Sequence, residues 1–291
     1  MARDCPASAD VPSVVAMGIW QFVFLIIAGI AAGFVGYSVG LASLVSFPAT
    51  LAVGVPPVMS SATNTAGNVG ITIGGCLGAR PELRARKDLA VIYAVIGLAG
   101  GVIGALLLLK LPARFFEYSV PPFIGLSALL ILVKPKKPGA KDAAPKENAA
   151  SAPDGTSASA VPAPAPSKRD PGRSPIMLAA MSLLSIYSGY FGAGSGTATL
   201  AVLSVGKVGP YAQINALKTI GCGFGNISAT IVFIATGVIH WPAMIALFIG
   251  STIGSRLAPA VVRRVPENIM RGFACAAGLV LAVYLGFRYY G

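Results

Sequence analysis

The chain has few carboxylates, and none stands where a proton or cation pump would need one. Its ten Asp and Glu residues, from Asp4 to Glu267, all fall in a tail, a loop, a polar linker or the end of an apolar run. Proton-coupled carriers usually relay through an intramembrane carboxylate or histidine, and cation sites need oxygen-rich, usually anionic ligands. Cation pumping and carboxylate-based coupling are therefore disfavoured. The sole histidine, His240, sits in the loop "GVIHWPA" beside Trp241, as interfacial residues do. The four cysteines, Cys5, Cys76, Cys222 and Cys275, form no CxxC pair and read as small buried residues. No metal and no cofactor is expected. Residues 1–17 lack a basic n-region, so the first apolar run reads as retained rather than cleaved.

Charge of either sign is scarce: 11% of residues are charged and 55% are hydrophobic, with mean hydropathy +0.76. An ordinary soluble domain is about 25% charged. Several windows hold more than about 18 apolar residues, enough to cross a hydrocarbon core of ~30 Å. The fold class is an all-α polytopic membrane protein with the lipid bilayer as its solvent. The net charge of +12 does not imply nucleic acid, because the basic residues lie in loops between apolar runs, where they set topology.

The apolar runs are 18–54, 57–79, 89–111 and 115–133, then 176–206, 211–236, 241–262 and 268–287. They divide the chain into an N-terminal tail (1–17), a first transmembrane repeat (18–133), a linker (134–174) and a second repeat (175–291). The linker is rich in Pro, Ala, Ser and Lys, cannot bury a core, and reads as disordered. Its basic excess places it in the cytoplasm. "GYSVGLASLVSFPATLAVG" (36–54) parallels "GYFGAGSGTATLAVLSVG" (189–206). Duplication of this kind marks secondary transporters, whose sites form at the repeat interface near the midplane.

Run 18–54 is too long for one crossing, because its residues would span roughly 55 Å as a single helix. Gly33, Gly36, Gly40 and Pro48 are the candidate breaks, and Gly189–Gly196 is the counterpart. Each repeat of four long segments then has five pieces, and an odd number inverts the second repeat against the first. Charge agrees: the loop 80–88 carries Arg80, Arg84, Arg86 and Lys87, whereas its counterpart 237–240 carries no Lys or Arg. The inverted arrangement puts both termini outside and the linker, Lys207, Arg263 and Arg264 inside. A parallel arrangement strands Arg263 and Arg264 outside.

One charge lies deep. Lys218, in "NALKTIGCGFGN", is a functional candidate because an intramembrane ammonium is costly. The competing reading is a lysine that snorkels to the interface. Asn215, at i−3, is expected on the same face, and Thr63 and Asn64 occupy the similar region of the first repeat. A lysine, amides, hydroxyls and the N–H groups freed at a helix break suit a small anion. The candidate substrate-binding set is Lys218, Asn215, Gly192, Gly194, Ser195, Gly196, Gly40, Ser43, Thr63 and Asn64. Interhelical hydrogen bonding and close glycine packing are the alternatives for these residues. "GAGSG" lacks the Gly-Lys-Ser/Thr of a phosphate loop. A Ser195–His240 protease pair is disfavoured by the loop position of His240, so no enzyme is expected.

"GYFGAGSGTATLAVL", the "NALK" after it and the duplicated segment pattern resemble the sulfite exporter TauE/SafE family, also called the toluene-sulfonate uptake permease group. The resemblance covers 18–133 and 176–290. The first repeat departs from it, with "VGLASLVSFP" in place of a full glycine run. The resemblance implies a multi-pass carrier of sulfur oxyanions such as sulfite, sulfonates or sulfoacetate, in a cell membrane of the bacterial inner-membrane type. Export by alternating access is the expected mode. A non-transporting scaffold or assembly factor is the alternative, and homo-oligomeric assembly stays open.

Overall fold

The computed structural model describes residues 17–112 and 170–262. The N-terminal tail, most of the linker, the runs 115–133 and 268–287, and Arg114, Arg263 and Arg264 lie outside the described residues. Every regular element among the described residues is helical.

Residues 17–112 contribute α1 (Ile19–Ser38), α2 (Ser43–Ala52), α3 (Pro57–Gly67), α4 (Val69–Gly78), the short α5 (Arg80–Ala85) and α6 (Lys87–Lys110). Residues 170–262 contribute α7 (Pro175–Tyr190), α8 (Ser195–Val205), α9 (Tyr211–Ala235) and α10 (Trp241–Val262). α1, α6 and α9 are long and apolar enough to cross a membrane.

Both expected breaks are present, each four residues long. α1 stops at Ser38 and α2 starts at Ser43; α7 stops at Tyr190 and α8 starts at Ser195. Glycine makes each turn: Gly40 has φ +88° and Gly192 and Gly194 both have φ +74°. This left-handed region is costly for residues with a Cβ. The other break candidates are not breaks. Gly33 and Gly36 lie within α1, and Pro48 lies within α2. Gly33 instead lets α1 meet the Ser251 backbone of α10.

The two described segments pack crosswise. α1 lies along α10, and α7 lies along α6, so each segment's first α-helix is partnered by the other's last. Close contacts give the directions. A Cβ on Gly223 of α9 would meet Thr72 of α4, whereas one on Gly75 of α4 would meet Thr219 of α9, so these counterparts cross antiparallel. Gly70 and Gly74 of α4 approach Ser251 and Ser255 of α10 in rising register, so that pair runs the same way. Such glycine and serine contacts bring backbones close, which is how helices associate in lipid.

The two breaks share one apolar core. Val39, Leu41, Leu44 and Phe47 pack with Tyr190, Phe191 and Ala193. The rings of Phe47 and Phe191 meet edge to face, centroids 5.2 Å apart at 89°, a geometry worth about 0.5–1.5 kcal/mol beyond area burial. The end of the linker is also anchored: Asp170 pairs with Arg86 at 3.1 Å, and the Tyr93 hydroxyl donates to Gly172 O at 3.0 Å.

Candidate functional site

The breaks face each other. A Cβ on Gly196 would stand 2.7 Å from the Cα of Gly40, and one on Gly192 would stand 3.8 Å from Ser43 Oγ. Between them lies a cavity of about 60 Å³. Six of the expected residues line it: Gly40, Ser43, Gly192, Ser195, Gly196 and Lys218. Lys218 is the one charged side chain among its described lining residues.

The start of α8 supplies backbone donors. The amides of Gly196 and Thr197 donate to no backbone oxygen among the described residues, as expected for a helix's first turn. Ser195 is held at the cavity edge, its hydroxyl 2.9 Å from Gly192 O and 3.3 Å from Ser188 Oγ. Ser43, its counterpart at the start of α2, accepts from Asn64 Nδ2 at 3.0 Å and Asn68 Nδ2 at 3.4 Å.

Lys218 does not snorkel. It is 3% exposed. Its Nζ donates to Gly36 O at 3.2 Å and Tyr37 O at 2.9 Å, and lies 5.9 Å from the Tyr37 ring centroid. The next two carbonyls of that exit are also taken by residues of α9 and α8. The Tyr211 hydroxyl donates to Ser38 O at 2.9 Å, and Thr197 Oγ1 donates to Val39 O at 2.8 Å. Four successive carbonyls at the end of α1 are thus bound by side chains of α8 and α9, and Gly36 O also accepts from the Gly40 amide at 3.0 Å.

Four expected residues stand off the cavity. Asn64 lies behind Ser43, where its Oδ1 accepts from Ser46 and from Asn68 Nδ2. Thr63 turns away and accepts from the His240 amide at 3.0 Å. Gly194 caps α8 without lining the cavity. Asn215 is buried, and its Oδ1 has no hydrogen-bond partner among the described residues, so the shared-face expectation with Lys218 does not bring it to the cavity. Ser195 and His240 are not brought together either: His240 borders a different cavity with Met17 and Met59, and its Nδ1 accepts from the Ala243 amide.

Sequence reasoning missed Thr65, Asn68, Thr72, Ser188, Cys222 and Asn226, which also line the cavity. A simple signal was available for most of them. Asn64, Asn68 and Thr72 follow one another at i+4, as do Lys218, Cys222 and Asn226, and such residues share a helix face.

The sulfite exporter TauE/SafE family model matches residues 25–285. A probable membrane transporter protein, ORF9, of a Sinorhizobium species is 26% identical over 252 residues, covering 81% of this chain and 83% of that protein. A probable membrane transporter protein of Haemophilus influenzae is 24% identical over 268 residues, covering 88% and 90% respectively. No solved structure matches.

Proposed function

Because the chain belongs to the sulfite exporter TauE/SafE family, we propose that it carries a small sulfur oxyanion through the cavity between its two helix breaks. The observation that carries this reading is a single buried ammonium, Lys218, lining the same cavity as Gly196, whose amide donates to no described backbone oxygen, with no described carboxylate in the lining. Helix N-termini bind anions through such amides and their dipole. Ser43 Oγ, which accepts from Asn64 and Asn68, keeps its hydroxyl hydrogen as a neutral donor.

Size favours the smallest substrates. A water needs about 10–15 Å³ of such space, so about 60 Å³ takes roughly four to six water-sized groups. The sulfur and three oxygens of sulfite fit. Methanesulfonate, with five non-hydrogen atoms, is near the upper bound, and a sulfonate with a longer tail requires the cavity to open.

We assign the repeats opposite orientations and let one rock against the other. The antiparallel crossing of α4 on its counterpart α9, and the reciprocal packing of α1 on α10 and α7 on α6, support this. Inversion places the loops at 80–87 and 236–240 on opposite membrane faces. Cysteines substituted for the exposed Arg84 and Thr236 should then react with impermeant reagents from opposite sides. Labelling of both from the same side would sink the inverted arrangement.

Cys222 offers a test of the site. It lines the cavity, with its Sγ 3.6 Å from Thr199 Oγ1. In a chain whose other cysteines are replaced by serine, methanesulfonate should slow alkylation of Cys222 saturably. We expect about threefold or more, from mass action at a few times its dissociation constant. Methanesulfonate is preferred because sulfite itself consumes maleimides. Equal rates with methanesulfonate and with gluconate would remove the cavity as the substrate site. The non-transporting scaffold predicts that same indifference.

A further inference from the structure

Lys218 is a heavier commitment than a substrate ligand needs to be. Two of its three N–H groups are spent on Gly36 O and Tyr37 O. Both belong to the last turn of α1, whose end carries about half a negative charge. The ammonium has no carboxylate partner among the described residues, so this helix end is its counter-charge. Tyr37 closes one side with its ring, an arrangement that favours a cation.

Carriers built on broken helices commonly close the C-terminal end of a half-helix with a dissociable cation held by freed carbonyls. Here the same end is closed from the partner repeat, through a side chain of α9. We propose that the Lys218 ammonium is a tethered cation that holds the α1 break, in the place a dissociable alkali cation would take, so that anion flux needs no co-transported alkali cation. Lys218 is then a positioning residue, and the anion meets its charge across the break. This deepens the reading above and rests on it only where flux is measured.

Two roles for the amine separate cleanly. A lysine that only binds the anion leaves α1 intact when removed: the KM for the anion rises, thermal stability holds, and added cations do nothing. A tethered cation, when removed, leaves the Gly36 and Tyr37 carbonyls of α1 without its ammonium. Stability then falls, and a small free cation restores it by filling the vacated place.

The test uses the full-length purified protein. Wild-type flux of sulfite in proteoliposomes should be equal in sodium, potassium and N-methylglucamine buffers. Lys218→Ala and Lys218→Gln should each lower Tm in detergent. Methylammonium or sodium should raise the Tm of Lys218→Ala saturably, by about 3 °C or more, with no such rise for wild type. If Lys218→Ala does not yield folded protein, recovery only when methylammonium is present throughout purification supports the proposal. Equal loss with and without it overturns the proposal. So does a sodium requirement in wild type, or wild-type stability in both variants. The Tm arm needs no substrate. Cation rescue without sulfite flux keeps the tethered cation and rejects the transport reading, and flux without rescue does the reverse.

Discussion

Gly40→Ala should cost this protein most of its folded, active population, whereas Gly54→Ala should be tolerated. Both glycines hold left-handed backbone, with φ +88° and +91°. Both substitutions therefore carry the same local strain, about 1–2 kcal/mol. They differ in their surroundings. A Cβ at Gly54 meets nothing within 4 Å, whereas one at Gly40 would lie 2.5 Å from Thr197 N and 2.7 Å from Gly196 Cα. Those atoms are backbone and cannot rotate aside, so the breaks must move apart. Overpacking of this kind adds about 1–3 kcal/mol, for a total of about 2–5 kcal/mol against about 1–2 kcal/mol at Gly54. The separation would also widen the cavity and pull Thr197 from Val39 O. Anion flux should drop with Gly40→Ala by at least about tenfold, the equivalent of about 1.4 kcal/mol, and Gly54→Ala should keep it. Thermal unfolding in detergent and flux in proteoliposomes measure the two terms. Equal losses at both positions would mean that the approach of the breaks contributes nothing.

That contact explains why the breaks were legible in the sequence while much of the cavity wall was not. A break has a length signature: run 18–54 cannot cross the membrane as one helix, and only a few residues inside it tolerate a turn. The structure selected Gly40 over Gly33, Gly36 and Pro48 because the latter three pack or persist within helices. Lys218 was legible from cost alone. Its partners were not, because nothing in "NALK" says that an ammonium will reach carbonyls roughly 180 positions earlier. Thr63 and Asn64 show the limit of reading by neighbourhood. They are adjacent in sequence, yet Thr63 faces the His240 loop and Asn64 faces Ser43, since consecutive residues on a helix point about 100° apart. Following Asn64 at i+4 leads to Asn68 and Thr72 instead, which do reach the cavity.

Net charge at the site makes the second large prediction. Four half-helix ends converge on the breaks: the C-termini of α1 and α7 at about −0.5 each and the N-termini of α2 and α8 at about +0.5 each. These cancel, which leaves the single charge of Lys218 to be matched. A monovalent anion such as hydrogen sulfite balances it, whereas divalent sulfite leaves one excess negative charge in a low-dielectric surrounding. An uncoupled carrier distributes its anion by membrane potential alone. At 100 mV, inside negative, moving one negative charge outward gains about 2.3 kcal/mol. With about 1.4 kcal/mol per factor of ten, a monovalent anion should reach an outward ratio of roughly 50-fold, and a divalent one roughly 2,000-fold. Proteoliposomes clamped with valinomycin and a potassium gradient give the ratio directly, with the vesicle pH held equal on both sides. A ratio near the lower value means that the lysine is matched by one charge per turnover. The higher value would transfer the excess negative charge to groups outside the described cavity wall. A ratio that ignores the clamp would reject uncoupled export and require an exchanged ion, and release no faster than from empty vesicles would favour the scaffold. Because no carboxylate is among the described residues that line the cavity, the response to the clamp bears on that feature as directly as on Lys218.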